Sequence, residues 1–503
     1  MDGSSPRPSR RKRAPQQPTA VAIHEVLIVG AGFAGLGSAI RLRQAGVEDI
    51  VILERGDRVG GTWRDNQYPG AACDIPSNLY SYSFAPNAEW SRGYAASAEI
   101  LGYIDSLVED FGLQPLIRFR HDVTGLSYDE GRALWQVRTE AGGTLEARSV
   151  IMAAGPLSNA SFPAMTGIDS YQGHKIHSAR WDHGYDFRRK RVAVIGTGAS
   201  AIQIIPELVK QAEYVKVFQR TPGWVLPRPD YAAPAWSKRL MSRLPAAQRA
   251  FRAALYLAHE SMATGLIWDT PVTRVVERVA RIHLRRQVKE RWMRRQLTPD
   301  FRIGCKRVLV SNDYYPALQS PNCKLVTWPI AMLSPRGIRT VEGIEHQVDC
   351  IVFATGFDVC KAGTPFAVRG IGGRDLAGEW SRGAQAYKSV SVAGYPNLYF
   401  TFGPNSGPGH NSALVYMESQ IDYIVRAVRT LRERKLRSLE VRAEAQERHN
   451  RALQRRLAKT NWNSGCSSWY LTADGYNATM YPGFATQYAR QMREFSVKDY
   501  VAY

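Results

Sequence analysis

The sequence is poor in cysteine and has no long apolar segment. Its six cysteines are scattered along 503 residues without a C-x-x-C spacing. This argues against a disulfide framework, a metal site and a redox-active dithiol, so we expect reduced thiols. No uninterrupted apolar run approaches the ~18 residues that a membrane span needs. A basic string near the N-terminus lacks the apolar core of an export signal. We therefore expect a cytoplasmic protein without a membrane span, beginning with a disordered basic arm over residues 1–22.

Acidic residues are also in deficit. The chain has 66 Lys and Arg against 45 Asp and Glu, a formal charge of +21, and part of the excess lies in the arginine-rich segment 274–302. No nucleic-acid-binding module accompanies these arginines, so no nucleic-acid partner is expected. On a helix, four apolar side chains of this segment would lie near one face, namely Val275, Val276, Val279 and Ile282. A solvated amphipathic helix explains the pattern, and an acidic partner or anionic substrate is the alternative.

A glycine-rich turn follows the first apolar strand pattern. The string "EVLIVGAGFAGLGSAIRLRQAG" has Gly30, Gly32 and Gly35 in the spacing G-x-G-x-x-G, between a strand pattern and a helix pattern. Such glycines let the backbone approach a pyrophosphate at the helix N-terminus. The next strand pattern ends in Glu54, nineteen residues beyond Gly35, where a carboxylate accepts hydrogen bonds from the ribose of an unphosphorylated adenosine. We predict that this loop binds FAD.

A second copy of the pattern lies in "RVAVIGTGASAIQIIPEL". It has Gly196 and Gly198, with Ala201 in the place of the third glycine, a position that requires only close packing of helix and strand. Nineteen residues past Ala201 stands Arg220 instead of an acid. A cation at this point favours the 2′-phosphate of NADP over the free hydroxyl of NAD. We predict that the second loop binds NADPH.

The length and two further strings predict the domain organisation. About three structural units of roughly 150 residues are expected. "SVIMAAGPLSNASFP" and "VDCIVFATGFD" are apolar strand patterns that end in small residues, as expected where backbone passes close to a cofactor or to other backbone. We predict an α/β fold with two Rossmann-like dinucleotide-binding domains and a helical insertion that could shape a substrate cavity. The expected bounds are 23–158 and 358–503 for the discontinuous FAD domain, 159–231 and 301–357 for the NADPH domain, and 232–300 for the insertion.

The string "YQGHKIHSARWD", residues 171–182, carries a family resemblance. It resembles the F-x-G-x-x-x-H-x-x-x-W-P/D signature of the Baeyer-Villiger monooxygenases: Gly173, His177, Trp181 and Asp182 match, and Tyr171 stands in place of phenylalanine. The resemblance continues through "GGTWRDNQYPGAACDIPSNLYSYSF", "GCKRVLVSNDYYPAL", "FTFGPNSGPGHNSALV" and "CSSWYLTADGYN", and so covers nearly the whole chain after the basic arm. It implies that the signature lies in the linker between the two dinucleotide domains. The alternative for His177 is an ordinary hydrogen-bonded core histidine.

The resemblance also implies an activity. Enzymes of this family use FAD, NADPH and O2 to insert one oxygen atom beside a ketone carbonyl through a C4a-peroxyflavin, which yields an ester or lactone. A secondary-metabolite or alicyclic ketone is the expected substrate. Oxygenation of a sulfide or amine is the alternative within the class. A pyridine-nucleotide-dependent flavoprotein reductase is a further alternative, but the spacing of the cysteines offers no redox-active pair.

Catalytic residues follow from the same resemblance. Arg307 matches the family's catalytic arginine, whose cation stabilises developing negative charge, and Asp74 matches the carboxylate that orients it beside the cofactor. Lys306 matches a residue that reaches the NADP 2′-phosphate together with Arg220. Taken without the family, Arg307 could be a surface charge and Asp74 a local turn-capping acid.

Further cofactor contacts are implied position by position. On the flavin side they are Thr62, Trp63, Tyr80 and Val123. On the NADPH side they are Thr197, Ala199, Ser200, Gln203, Thr221 and Trp469, in addition to Gly196 and Gly198.

One helix start is predicted from the residues themselves. "GPNSGPGHNSALVYMESQIDYI" indicates a loop that opens a helix near Asn411 or Ser412, either of which could cap it. A helix N-terminus directed at the flavin pyrimidine would stabilise an anionic reduced ring. His410 stands beside this turn, and we do not assign it a catalytic role.

Overall fold

A computed structural model describes residues 22–357, 364–466 and 468–503. The predicted basic arm, apart from its last residue, and Cys360 lie outside these residues.

The described residues form twenty strands, thirteen α-helices and five short 3-10 helices. The strands are β1 Ile23–Val29, β2 Ile50–Glu54, β3 Ile117–Phe119, β4 Val123–Asp129, β5 Leu134–Thr139, β6 Thr144–Met152, β7 His174–His177, β8 Arg191–Ile195, β9 Tyr214–Phe218, β10 Val225–Leu226, β11 Leu309–Val310, β12 Cys323–Val326, β13 Ile330–Ser334, β14 Gly337–Thr340, β15 Glu345–Gln347, β16 Cys350–Phe353, β17 Ala367–Arg369, β18 Leu398–Phe400, β19 Leu439–Val441 and β20 Tyr500–Ala502. The α-helices are α1 Phe33–Gln44, α2 Thr62–Asp65, α3 Ser97–Asp110, α4 Ala199–Val209, α5 Ala235–Arg243, α6 Pro245–Leu266, α7 Pro271–Gln287, α8 Arg291–Gln296, α9 Tyr314–Leu318, α10 Leu376–Glu379, α11 Ala413–Glu433, α12 Ala443–Leu457 and α13 Ala485–Arg493. The 3-10 helices are Gln114–Leu116, Ile371–Gly373, Trp380–Arg382, Asn461–Asn463 and Val497–Asp499.

The larger sheet is built around β1. Its order is β17-β4-β5-β6-β1-β2-β3, with β18 added beside β6. β1 pairs in parallel with β2 and β6, whereas β5 runs antiparallel to both β4 and β6. Both faces of β1 are buried, because Val26 and Ile28 pack into one core cluster and Leu27 and Val29 into another. This explains the continuous apolar run in the sequence of β1.

The second sheet is wholly parallel. Its order is β12-β9-β8-β16-β7, and its central strand β8 is also covered on both faces, by Val192 and Val194 on one side and Ala193 on the other. The predicted α/β class is confirmed, with one mixed sheet, one wholly parallel sheet and a helical segment. The exact bounds of the domains stay a prediction.

The two glycine-rich turns approach the two strings of small residues. Gly30 follows β1 with φ +106°, and Gly196 follows β8 with φ +121°, conformations that favour glycine. A Cβ added at Gly30 would lie 2.7 Å from the carbonyl oxygen of Ala153, and one at Gly196 would lie 2.4 Å from that of Ala354. The strands β6 and β16 therefore end in small residues because each passes directly against one turn.

The segment 232–300 is helical, as predicted. It holds α5, α6, α7 and α8, and α6 packs against both α5 and α7. Among the described residues, every helix is too short or too polar to traverse a lipid bilayer.

The second turn offers a matched pair of substitutions. Gly196→Ala is expected to lower the free energy of unfolding of the cofactor-free protein by about 2 kcal/mol, because its Cβ meets backbone and its φ is positive. Gly198→Ala is the control, since a Cβ there meets nothing within 4 Å and its φ is −85°. Thermal and urea unfolding would measure both. Equal stability of the two variants would contradict the packing described for Gly196.

Candidate active site

A cavity of about 1000 Å³ lies where the carboxyl ends of the two sheets meet. Its lining includes residues at or just after the ends of five strands, β6, β18, β8, β9 and β16: Met152, Phe400, Gly196, Phe218 and Ala354. In open α/β sheets, ligands bind in the crevice outside the carboxyl ends of the strands. The cavity is therefore the place where two dinucleotides and a substrate could meet.

Arg307 and Asp74 form an ion pair in the wall of this cavity. The Nε and one Nη atom of Arg307 donate to the same Asp74 carboxylate oxygen, at 2.9 and 2.6 Å. Their side chains are 36% and 26% exposed, and both residues line the cavity. The Asp74 carboxylate raises the pKa of the Arg307 guanidinium, so the cation is permanent at any working pH. The structure thus brings together the two residues that the resemblance implies to be catalytic.

The cysteine expectation was wrong at one pair. Cys305 and Cys466 form a disulfide with a Cα–Cα distance of 6.2 Å, although they are 161 residues apart in sequence. Spacing along the chain could not reveal this pair, because the fold alone brings the two segments together. Neither cysteine lines the cavity. The bond joins the segment of Lys306 and Arg307 to the segment of Trp469.

Trp469 lies at the edge of the cavity beside a buried tyrosine. Trp469 is 45% exposed, and its ring packs edge-on against Tyr470 with centroids 4.5 Å apart. Tyr470 is buried, lines the cavity and lies close enough to Arg307 to interact electrostatically. Tyr470 is a neighbour of the Arg307–Asp74 ion pair that the sequence did not single out, because a tyrosine in such a string is usually a core residue.

Just after β9, two cations lie close together, and in the described part of the chain no acid forms an ion pair with either. The Lys306 Nζ donates to the Thr221 hydroxyl at 2.9 Å, and Thr197 donates to the Thr221 carbonyl at 3.0 Å. Burial lowers the pKa of Lys306, and the nearby Arg220 guanidinium lowers it further. In the described part of the chain, neither Lys306 nor Arg220 has an acidic group within 4 Å. The Asp300 carboxylate, which makes no ion-pair contact with Lys306, partly opposes this lowering of the pKa. Two like charges with no acid in direct contact fit the 2′-phosphate of NADP.

The N-terminus of α4 offers room for a pyrophosphate. Gly198 caps this helix with extended backbone, a Cβ added there would meet nothing within 4 Å, and the adjacent Ala199 and Ser200 line the cavity. Gln203 also lines the cavity, but its amide is engaged by protein: it accepts from the Tyr68 hydroxyl at 3.0 Å and donates to the Ala72 carbonyl at 3.0 Å. Gln203 thus ties α4 to the segment that leads to Asp74.

The first glycine-rich turn surrounds a buried carboxylate. Glu54, at the end of β2, is 4% exposed and accepts from the backbone N–H groups of Ala31 at 2.9 Å and Gly56 at 2.7 Å. It also accepts from Arg64 at 2.6 Å, a partner that the sequence did not indicate. Five predicted FAD contacts lie outside the lining of the cavity: Gly30, Gly32, Gly35, Glu54 and Val123. Gly30 and Glu54 lie at the carboxyl ends of β1 and β2, Gly32 and Gly35 lie at the start of α1, and Val123 lies at the start of β4.

The two aromatic residues that the sequence predicts as flavin contacts lie in the cavity wall. The Trp63 indole donates to the Tyr80 hydroxyl at 3.1 Å, and their rings meet edge-on with centroids 5.6 Å apart. Thr62 lines the cavity beside them. The start of α11 also lines the cavity: the helix begins at Ala413, and the Ser412 hydroxyl caps it by accepting from Leu414 N–H at 3.2 Å. The predicted helix start is confirmed, and aromatic walls with a helix N-terminus fit a flat, electron-accepting ring system.

The string 171–182 contributes the edge strand of the second sheet, and its role as a linker between the two domains stays a prediction. It contains β7, which pairs with β16 up to His177. His177 is 2% exposed, its Nδ1 accepts from the Ala179 N–H at 3.1 Å, and burial lowers its pKa. Trp181 stacks on Phe187, and an Asp182 oxygen lies 2.9 Å from His174. The described lining of the cavity includes none of Gly173, His177, Trp181 and Asp182.

Within this string, Tyr171 packs directly against Gly173. The Tyr171 hydroxyl donates to the Val348 carbonyl at 3.0 Å, and a Cβ added at Gly173 would lie 2.1 Å from that hydroxyl. Glycine at 173 therefore leaves space for the tyrosine that replaces phenylalanine, and the extra hydroxyl gains a hydrogen-bond partner.

A buried carboxylate from the insertion holds the loop before α11. Glu260 on α6 accepts from the His410 ring at 3.1 Å and the Asn411 amide at 3.2 Å, and from the backbone N–H groups of Ala485 and Thr486 at the start of α13. Burial alone would raise the pKa of Glu260, but hydrogen bonds from His410 and Thr486 outweigh burial and lower the pKa to about 2. Sequence reasoning missed Glu260, because its partners lie at least 150 residues away. The insertion is described throughout and none of its residues lines the cavity, so its contribution to the site is this anchor.

Comparisons with known proteins place the chain among flavoprotein oxygenases. A family profile described as pyridine nucleotide-disulphide oxidoreductase matches residues 27–254. The chain is 43% identical to a Baeyer-Villiger monooxygenase of Pseudomonas aeruginosa, over 96% of this chain and 93% of that protein. It is 35% identical to the FAD-binding monooxygenase ktnD of Aspergillus niger, over 95% of this chain and 81% of that protein. It is similar to the solved structure of an oxidized steroid monooxygenase bound to NADP, with a TM-score of 0.85, 31% identity and coverage of 96% and 99%.

The substitution Glu260→Gln tests whether the Glu260 carboxylate holds the loop before α11 and the start of α13. We expect the free energy of unfolding at neutral pH to fall by about 2 kcal/mol, since a buried charged acceptor of four hydrogen bonds is lost. A depressed carboxyl pKa stabilises the fold above the unfolded pKa of about 4.3 and loses that contribution as the pH falls toward 2. The difference in the free energy of unfolding between Glu260→Gln and wild type is therefore expected to shrink as the pH falls from about 4.3 toward 2.

Unfolding in urea across this pH range is the measurement. Glu290→Gln, at an exposed acid in the same insertion, is the matched control and is expected to change little. A Glu260→Gln protein as stable as wild type at neutral pH would contradict the anchor.

Proposed function

The chain belongs to the Baeyer-Villiger monooxygenase family, and on this premise we propose that it oxidises an alicyclic or secondary-metabolite ketone to an ester or lactone, in the cytoplasm. It is an oxidoreductase that uses FAD and NADPH. The observation that carries the proposal is the Arg307–Asp74 ion pair in the wall of the cavity.

Bound FAD, once reduced by NADPH, supplies the group that activates O2. The side chains of the protein must bind the substrate and stabilise the charge that develops during the reaction. Negative charge develops on the carbonyl oxygen of the ketone during oxygen insertion, and a fixed cation beside it lowers the barrier. Arg307 supplies that cation with no need for a proton transfer, since its guanidinium is charged at every working pH.

Asp74 positions Arg307 but occupies only some of its hydrogen-bond donors. Both contacts go to a single Asp74 oxygen and use Nε and one Nη. A guanidinium has five N–H donors in a fixed fork. Within the described part of the chain the donors on the remaining Nη have no protein partner, so they stay available to a ligand in the cavity. Asp74 therefore acts as a positioning residue, and Arg307 is the group proposed to touch the reacting atoms.

Lys306 and Arg220 select the reducing cofactor. They lie at the end of β9 with no acidic group within 4 Å in the described part of the chain, and Lys306 is immediately next to Arg307 in sequence. If Lys306 and Arg220 bind the 2′-phosphate, they position the nicotinamide nucleotide. The same contact would also fix the backbone next to Arg307. Trp469 and Ser200, which also line the cavity, are proposed contacts of the same nucleotide.

A panel of ketones tests the function directly. The FAD-loaded protein, supplied with NADPH and air, is expected to convert at least one cyclic, terpenoid or steroid ketone into a product one oxygen atom heavier, identified by mass spectrometry. Arg307→Ala is expected to bind FAD as wild type does but to lose ester formation about 100-fold or more. Arg307→Lys keeps a charge but cannot form the forked contact with Asp74, and is expected to recover only part of the loss.

Two outcomes would contradict the proposal. NADPH consumption with oxygenation of a sulfide and of no ketone would move the chain to heteroatom oxygenation. Full ester yield from Arg307→Ala would remove Arg307 from its proposed role.

Arg220→Ala tests cofactor selection. We expect the Michaelis constant for NADPH to rise about tenfold or more and that for NADH to change little, because only NADPH has the 2′-phosphate. Steady-state rates with each nucleotide measure the split, and Lys324→Ala, at an exposed lysine on β12, is the control. Equal effects of Arg220→Ala on both nucleotides would argue against a phosphate contact.

A further inference from the structure

Exposed apolar side chains are concentrated in the helical insertion. Among the described residues, seventeen large apolar side chains are exposed, and nine of them lie within 232–300. The same 69 residues contain 14 Lys and Arg against 5 Asp and Glu. The insertion thus combines an apolar and a strongly basic surface, which the proposed reaction does not use.

The apolar side chains of α7 form one stripe. Val272, Val275, Val279 and Ile282 are 41%, 61%, 42% and 39% exposed. Their spacing of three and four residues places them on a single face of a helix. The opposite side of α7 is buried through Ala280, Leu284 and neighbouring side chains. The helix is therefore already packed on the protein, and the exposed stripe is a second apolar face.

Unpaired arginines flank this stripe. Arg274, Arg278, Arg285 and Arg286 are exposed, and within the described residues none of them has a carboxylate within 4 Å. On a helical wheel, the first three lie on the side of the stripe away from the buried face. An apolar stripe bordered by arginines is the pattern of a helix that lies in a membrane interface.

A second helix of the insertion, α5, repeats the pattern and also packs against α6. On α5, Trp236 and Leu240 are 68% and 45% exposed and lie four residues apart, with Arg239 and Arg243 exposed beside them. A tryptophan flanked by arginines is typical of side chains at the headgroup level of a bilayer.

We propose that the insertion docks on an anionic lipid bilayer through the exposed stripes of α7 and α5. The charge of the surface decides between a bilayer and a second copy of the chain. Two copies joined through α7 would bring unpaired arginines against one another with no acid to separate them, whereas anionic headgroups supply the missing counterions. No helix enters the bilayer core in this arrangement, and the apolar side chains reach only the boundary between headgroups and acyl chains.

Vesicle co-sedimentation of the FAD-loaded full chain tests the proposal. The protein is expected to sediment with vesicles of equimolar phosphatidylglycerol and phosphatidylcholine and to remain in solution with phosphatidylcholine alone. High salt is expected to weaken the binding, because it screens the arginines. A variant with Val275→Ser, Val279→Ser and Ile282→Ser is expected to bind at least about tenfold more weakly, since three side chains no longer enter the interface.

A control variant tests whether binding needs the α7 stripe itself or any exposed apolar side chains. Val341→Ser with Ile344→Ser removes two side chains of similar exposure, 57% and 52%, between β14 and β15, and is expected to bind as wild type. Because all these positions are exposed, each variant should keep its FAD content and its NADPH oxidation. The proposal therefore does not depend on which ketone the enzyme oxidises.

Three results would overturn the proposal. The wild type could stay in solution with anionic vesicles at low salt. The triple-serine variant could bind as tightly as wild type. Sedimentation without lipid could show a dimer that the triple-serine variant abolishes, which would assign the stripe to a second copy of the chain.

Discussion

The ion pair between Arg307 and Asp74 connects parts of the chain that are 233 residues apart. Asp74 lies between α2 and α3, in the part of the chain that precedes the second sheet, and Arg307 lies just before β11. The fold must therefore bring these two distant segments together for the pair to form. Partly exposed ion pairs contribute little to stability, so the importance of this pair lies in the position of the guanidinium. The same short segment, residues 305–307, also contains Cys305 of the disulfide and Lys306, and it borders the cavity.

The insertion acts on the site from outside the cavity. Its inner side contributes the Glu260 carboxylate, which fixes the turn before α11 and the start of α13. Its outer side exposes the stripes of α5 and α7. One helical segment thus supports the turn before α11 at the cavity and carries the proposed lipid-docking surface.

Local patterns were the part of the fold that the sequence could predict. The two glycine-rich turns, the small residues at the ends of β6 and β16, and the cap of α11 all depend on neighbouring residues and appear in the structure as expected. The proximity of Arg307 to Asp74 followed from the family resemblance, because no local rule connects residues so far apart. The Cys305–Cys466 bond and the Glu260 anchor escaped prediction for the same reason. The exposure of Val275, Val279 and Ile282 also escaped it, since periodicity shows which residues share a face but not whether that face is covered.

A double-mutant cycle on Asp74 and Arg307 tests the central claim most directly. The quantity to measure is kcat/KM for ester formation in wild type, Asp74→Ala, Arg307→Ala and the double variant, each loaded with FAD. If Asp74 acts through Arg307, the double variant loses no more activity than Arg307→Ala alone, and the effects are strongly non-additive. If the losses of the two single variants simply add, the two residues act independently, and Asp74 does not position the catalytic guanidinium.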